Sequence, residues 1–282
     1  MKKISIILLA SLFSTGICKA QSNPDTANAN GNEKNFHLSV ATAYASRLHY
    51  YGRTDSLKSS ALIPTVIIQA GKNISITPSF IFINNNQASF DYAASTINVT
   101  YSFGKTKGVA GTIYADKFFY KQASKLVQSV QEGQSGFTLS YLNNIINITG
   151  GASAAFSKTN TDLFATAGLE HQFKKVSGDN VFLITPSAVA NAGTQNFTSI
   201  YYKKNNFLFL PGNEQLVTEN SKKFTLLSYD LNLSLIYAIK RFIVNVTPGY
   251  VIPQNVQTAA NSQAKAANLF YCNAVLIYKI IK

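Results

Sequence analysis

The sequence predicts an all-β fold, a closed antiparallel β-barrel of about twelve strands that spans a membrane. Three observations carry this. From Phe36 onward the dominant period of apolar residues is two. No segment of the mature chain is an uninterrupted apolar run of helical span, because Ser, Thr, Asn or a charge intervenes every second or third residue, so a membrane crossing must be made by strands. The two strand faces are also unequal: one is bulky and apolar, the other carries Ala, Ser, Thr, Asn, Gly and isolated charges. A soluble barrel or sandwich also alternates. A face so small and polar cannot pack a dry core to normal density, whereas it suits a wet lumen with lipid outside.

The N-terminus reads as an export signal. Met1-Lys2-Lys3 is basic, an apolar run extends from Ile4 to Ile17, and Ala20 is small at the expected cut. Lipidation at Cys18 is the rival reading. Residues 1–20 hold three of the 25 basic residues and none of the 12 acidic ones, which leaves the mature chain a formal charge of +10. Only Cys272 then remains, so a disulfide-stapled domain is excluded. Residues 21–35 are polar and low in complexity, and read as a flexible periplasmic leader before a barrel over 36–282.

The first strand puts Phe36, Leu38, Val40, Tyr44, Leu48 and Tyr50 on one face, with Ser39, Ala41, Ala43, Ala45, Arg47 and His49 on the other. Next, Ile74, Ile76, Phe80 and Phe82 alternate with Ser75, Thr77, Ser79 and Ile81. Ile97, Val99, Tyr101 and Phe103 alternate with Asn98, Thr100 and Ser102. The pattern returns at Leu163–Phe173, at Leu227–Tyr237 and at Phe242–Tyr250. Weaker strands are expected near 62–70, 109–118, 134–142, 145–156, 181–191 and 267–281. The total is even, as single-chain bacterial barrels prefer.

The connections alternate in length. Short turns are expected at 71–73, 104–108, 143–144, 174–180 and 240–241, and longer loops at 51–61, 119–133, 193–223 and 252–266, with 84–88 and 157–161 brief. Tyr44, Tyr50, Tyr51, Tyr101, Tyr229, Tyr237, Tyr250 and Tyr278 fall at or near strand ends, where a phenol keeps its ring in lipid and its hydroxyl in water.

The signal, the Gln21 start, the amphipathic strands and the final Tyr278-Lys279-Ile280-Ile281-Lys282 together resemble the porin-like outer-membrane proteins of Gram-negative bacteria. The resemblance covers about residues 36–282. It implies an outer-membrane location, contact with lipid and lipopolysaccharide, insertion by the barrel assembly machinery, and passage of small solutes. Tyr278 and Ile280 are the nearest outward candidates for the terminal signal that such machinery reads.

Five charges are placed on the inner face: Arg47, Asp91, Asp116 and Asp230 in the outer half, with Glu170 deeper. They are either a salt-bridge network bracing the wall, the favoured reading, or a constriction that selects solutes by charge. Phe207, Leu208, Phe209, Leu210 and Pro211 form an apolar stretch in the longest loop, able to fold inward as a plug or to extend a hairpin above the membrane. His37 and Ser39 have the spacing of a membrane-embedded lipid hydrolase of twelve strands, but Val40-Ala41 follow in place of that family's Asn-Gly-Arg, so no enzyme activity is expected. No metal-ligand spacing, cofactor motif or nucleic-acid module is present. A narrow channel or transporter is the expected function, with a non-transporting barrel whose loops bind a surface partner or anchor the envelope as the alternative.

Overall fold

A computed structural model describes residues 36–51, 53–54, 59–86, 88–104, 107–121, 131–158, 160–196, 222–255 and 267–281. The expected signal (1–20), the expected leader (21–35) and the stretch Phe207–Pro211 lie outside the described residues. The strands are β1 (Phe36–Ala45), β2 (His49–Tyr50), β3 (Arg53–Thr54), β4 (Ser60–Ala70), β5 (Ile74–Asn85), β6 (Ala88–Gly104), β7 (Gly108–Tyr120) and β8 (Gln131–Leu142). They continue with β9 (Asn147–Ser157), β10 (Thr161–Glu170), β11 (Phe173–Ser177), β12 (Asn180–Gly193), β13 (Thr225–Ile239), β14 (Phe242–Pro253) and β15 (Leu269–Ile281).

Thirteen of these join one antiparallel sheet, and β2 with β3 form a separate hairpin. β1 pairs with β4 and with β15, consecutive strands pair from β4 to β10 and from β11 to β15, and β10 pairs with β12, so the sheet closes on itself. β10 and β11 share one edge of β12: β10 covers Ser187–Gly193 and β11 covers Asn180–Ile184. The wall is therefore twelve strands around, as the alternation predicts. The expected turn at 174–180 is where the extra strand lies, and only Gly178 and Asp179 remain to connect it to β12. Gly178 takes a left-handed φ of 57° there.

The first and last described residues and the short turns lie at one end of the barrel, and the strand ends that flank the longer connections lie at the other. The bulky face points outward. Tyr44, Phe119, Phe156, Tyr229, Tyr250 and Phe270 are exposed near the long-loop end, and Phe36, Tyr101, Tyr141, Phe173, Phe182 and Phe242 near the turn end. Between these belts Val40, Ile113, Leu231, Leu233 and Leu276 are also exposed. An aliphatic band between two aromatic girdles matches hydrocarbon between two polar interfaces. Five prolines sit in the wall, Pro64, Pro78, Pro186, Pro248 and Pro253, and pairing is interrupted beside two of them, between Leu62 and Thr65 on β4 and between Asn232 and Leu235 opposite Pro248.

The interior is less uniformly small and polar than the alternation suggests. One apolar cluster fills the long-loop end, with Ala43, Ala45, Ile63, Ile81, Ile83 and Phe118 among its members. A second fills one side of the turn end, built from Ala41, Ile67, Leu183, Ile236, Ile243 and Ile277. β4 reads weakly in sequence because both its faces are apolar: Leu62, Val66 and Ile68 point out while Ile63 and Ile67 point in.

Candidate functional site

The lumen is built where β1 stops. The alternation suggests a strand to Tyr50, but β1 ends at Ala45 and the chain bends at Ser46-Arg47. Ser46 is pinned to the neighbouring strand, its N–H donating to the Cys272 carbonyl at 3.0 Å while its Oγ accepts from the Cys272 N–H at 2.8 Å. The Leu48 N–H then donates to the Ser59 carbonyl at 2.8 Å, tying the two sides of the connection together. Beyond it, His49 pairs with Thr54 and Tyr50 with Arg53. Tyr51 starts the turn in the left-handed region, at φ 44°, as the first position of a tight hairpin turn requires.

This hairpin points into the barrel. Leu48 joins the long-loop apolar cluster. The His49 ring lies against Tyr271 of β15, with centroids 4.4 Å apart. The Tyr51 ring lies against Phe164 of β10 at 4.9 Å. β15 adjoins β1, but β10 is reached only after β15, β14, β13 and β12, so the hairpin tip crosses the bore. Tyr51 is therefore an interior group and not a girdle residue.

Glycines make room for the receiving rings. A Cβ at Gly249 would collide with the Tyr271 ring, and one at Gly193 with Phe164. A third inward glycine, Gly136, leaves space for the Tyr114 hydroxyl. Large inward aromatics thus lie flat over a neighbouring strand, and the hairpin rests on two of them.

Two polar groups flank it. On β6–β8, Asn98 Nδ2 donates to Asp116 Oδ1 at 2.8 Å, Thr100 Oγ1 donates to Asn98 Oδ1 at 2.8 Å, and Gln134 Nε2 donates to the Tyr114 hydroxyl at 3.1 Å. On β12, β13 and β15, Ser228 Oγ and Asn191 Nδ2 donate to the two oxygens of Asp230 at 2.8 and 3.0 Å. The Tyr271 hydroxyl donates to Asn232 Oδ1 at 2.5 Å. Tyr51 lies within electrostatic reach of both Tyr114 and Asp230, and burial first, then those two groups, raise its phenol above the ordinary value, keeping it a neutral donor. Burial alone lowers His49 to about 4, so its imidazole is neutral, and its Nδ1 is buried without a hydrogen-bond partner.

Of the five charges expected inside, Asp116 and Asp230 are buried on the inner wall. Their donors are neutral amides and hydroxyls, which corrects the favoured salt-bridge network for both: an amide is a shorter reach across adjacent strands than any cation the sequence supplies there. Asp91 does form an ion pair, with Lys121 at 3.3 Å on the rim. Glu170 sits at the turn end and accepts from Asn147 Nδ2 at 3.2 Å. Arg47 is on the bend below the hairpin, half-buried, and not on a wall strand. His37 and Ser39 lie on the inner wall at the turn end, Ser39 opposite Lys279 on one side and Ile67 on the other.

Sequence reasoning placed His49 on the inner face but as part of a wall strand, and missed Tyr51 as an interior group, the seats Tyr271 and Phe164, and Asp162. The last accepts from Thr194 Oγ1 at 2.6 Å and from the Asn196 N–H at 2.7 Å, holding the start of the longest loop against β10. The available signal was the inward phase of Asp162, Phe164 and Tyr271 combined with glycines two strands' width apart.

No family model matches the chain, and no curated protein matches it. Among solved structures it is similar to LpxR from Salmonella typhimurium, at 8% identity over 85% of this chain and 99% of that one, with a TM-score of 0.48. It is also similar to an outer membrane channel from Pseudomonas putida F1, at 8% identity over 92% and 100%, with a TM-score of 0.44. A third similarity is to the translocator domain of the autotransporter NalP from Neisseria meningitidis, at 11% identity over 98% of each chain, with a TM-score of 0.37.

Proposed function

We propose that this barrel is a narrow channel for small solutes across the outer membrane, held shut at rest by its β2–β3 hairpin. The observation that carries this is the hairpin's path: His49 rests on Tyr271 and Tyr51 on Phe164, on well-separated parts of the wall. A loop packed across a bore is a two-position element, because leaving exposes its buried rings while returning re-covers them. Towards the turn end the wall on β8–β10 is lined by Thr138, Ser140, Thr149, Gly151 and Thr166, small or hydroxylated groups that water can wet. In this reading lipid and lipopolysaccharide surround the wall, the assembly machinery inserts it, and His37 and Ser39 have no catalytic role.

The test is conductance in planar bilayers, comparing the full mature chain with a variant in which residues 48–54 are replaced by a short Gly-Ser link. Rare steps from the intact chain and frequent steps from the variant are expected. Silence from both would refute the channel. It would select the second reading, a non-transporting barrel, which the apolar cluster of Leu183, Ile236, Ile243 and Ile277 inside the turn end favours.

A further inference from the structure

We infer that the passage is cation-selective, although the protein as a whole is strongly basic. The inference rests on the channel reading and adds the charge of the solute: small cations, and cationic or neutral solutes rich in hydrogen-bond donors.

Charge is sorted by face. The mature chain carries a formal +10, yet among the described residues the charges on the inner wall of β6, β7, β10 and β13 are Asp91, Asp116, Asp162, Glu170 and Asp230. Most of the described basic side chains lie elsewhere. Lys117 points outward and meets Glu132 at 3.7 Å, Lys121 meets Asp91 on the rim, and Lys174, Lys175, Lys240 and Arg241 surround the turns. Two cations are at the bore: Arg47, on the bend, and Lys279, on the inner face of β15 opposite Ser39 at the turn-end mouth, on the far side from β8–β10. Asp116 and Asp230 decide the sign. Each is buried in the bore and held by neutral donors that leave its charge uncancelled, Asp116 by the Asn98 amide and Asp230 by the Asn191 amide and the Ser228 hydroxyl.

A second observation points the same way. Asn273 Oδ1 and Thr112 Oγ1, on the inner faces of β15 and β7, are buried, with 8% of each residue exposed, and neither has a hydrogen-bond partner. Unpartnered interior oxygens are sites that await a donor or a cation. Carboxylate, carbonyl and hydroxyl oxygens lining a low-dielectric bore attract positive charge and repel negative charge, and a lumen potential of only about one kT partitions monovalent cations over anions by roughly sevenfold.

The test is the zero-current potential across a KCl gradient, read on the mature chain and on the 48–54 replacement, with Asp116→Asn/Asp230→Asn placed in each. A preference for K+ over Cl− that weakens in the double variant, and weakens in concentrated salt, is expected. Liposome swelling supplies a readout free of those variants, with lysine entering faster than glutamine and glutamine faster than glutamate. Conductance with no preference, or with a preference for Cl−, would overturn the cation inference and leave the channel standing. Absence of conductance from both proteins would overturn the channel, and this inference with it.

Discussion

Replacing Tyr51 with Ala tests the seated hairpin most directly. Tyr51 is 6% exposed and its ring packs on Phe164 at 4.9 Å. Truncating a buried aromatic costs about 3–5 kcal/mol in a protein core. Here the vacated space adjoins a wettable bore, which relieves part of the cavity penalty, so the lower end, about 3 kcal/mol, is the appropriate figure. Ala retains the left-handed backbone at this position, so the turn itself is not relaxed. If hairpin seating closes the bore, a loss of about 3 kcal/mol raises the open fraction by roughly a hundredfold until it saturates. Tyr51→Phe keeps the ring and loses only the hydroxyl near Tyr114 and Asp230, worth about 1 kcal/mol and roughly a fivefold rise. The assay is single-channel open probability at neutral pH, recorded for both variants. Equal open probabilities for Ala, Phe and the parent would refute the reasoning, because the ring contact would then hold nothing closed.

Acid should unseat the same hairpin. Burial lowers His49 from 6.5 to about 4, so its contribution to seating is complete above pH 6.5 and is lost as the pH falls through 4, a total of about 3 kcal/mol. Open probability should therefore climb between pH 6.5 and 4, and His49→Gln should flatten that rise; a rise towards alkaline pH contradicts it. Gly249→Val should force the Tyr271 ring off its seat and cost about 1–3 kcal/mol, visible as unfolding at a lower temperature in gel-mobility assays. Leu233→Lys, in the exposed aliphatic band, should cost about 2–4 kcal/mol in urea titrations of the lipid-inserted barrel, while an equal stability to the parent would deny that this band meets hydrocarbon.

The wall was legible because lipid and lumen impose opposite chemistry on adjacent residues. β5 and, from Ser228 onward, β13 have the phase that alternation assigns, with Phe80, Tyr229, Leu231, Leu233 and Tyr237 exposed and Ser228 and Asp230 buried; Leu227, expected outward, is buried beside a register shift against β12. The plug was not legible. Leu48 continues the outward phase of β1 as well as any wall residue, and only the Ser46–Cys272 bonds, made between residues 226 positions apart, turn the chain inward. Hydropathy cannot separate an apolar residue facing lipid from one facing an apolar cluster inside the bore, which is why Ile236, Ile243 and Ile277 carried no interior signal. Inward carboxylates were readable from phase alone, but their partners were not, since Asp230 and Asn191 meet across strands 39 residues apart.

The seam between β1 and β15 joins the first described strand to the last, with Val40 opposite Tyr278 and Tyr44 opposite Ala274. Every wall strand before β15 can pair with its predecessor as it emerges, but the cylinder has no lipid-tolerant form until the final segment arrives, because two bare ladder edges would otherwise meet hydrocarbon. Folding in the bilayer is thus all-or-nothing with respect to chain length. A polypeptide that stops before Leu269 carries all the plug residues and both acidic groups, yet has no means of becoming a membrane protein.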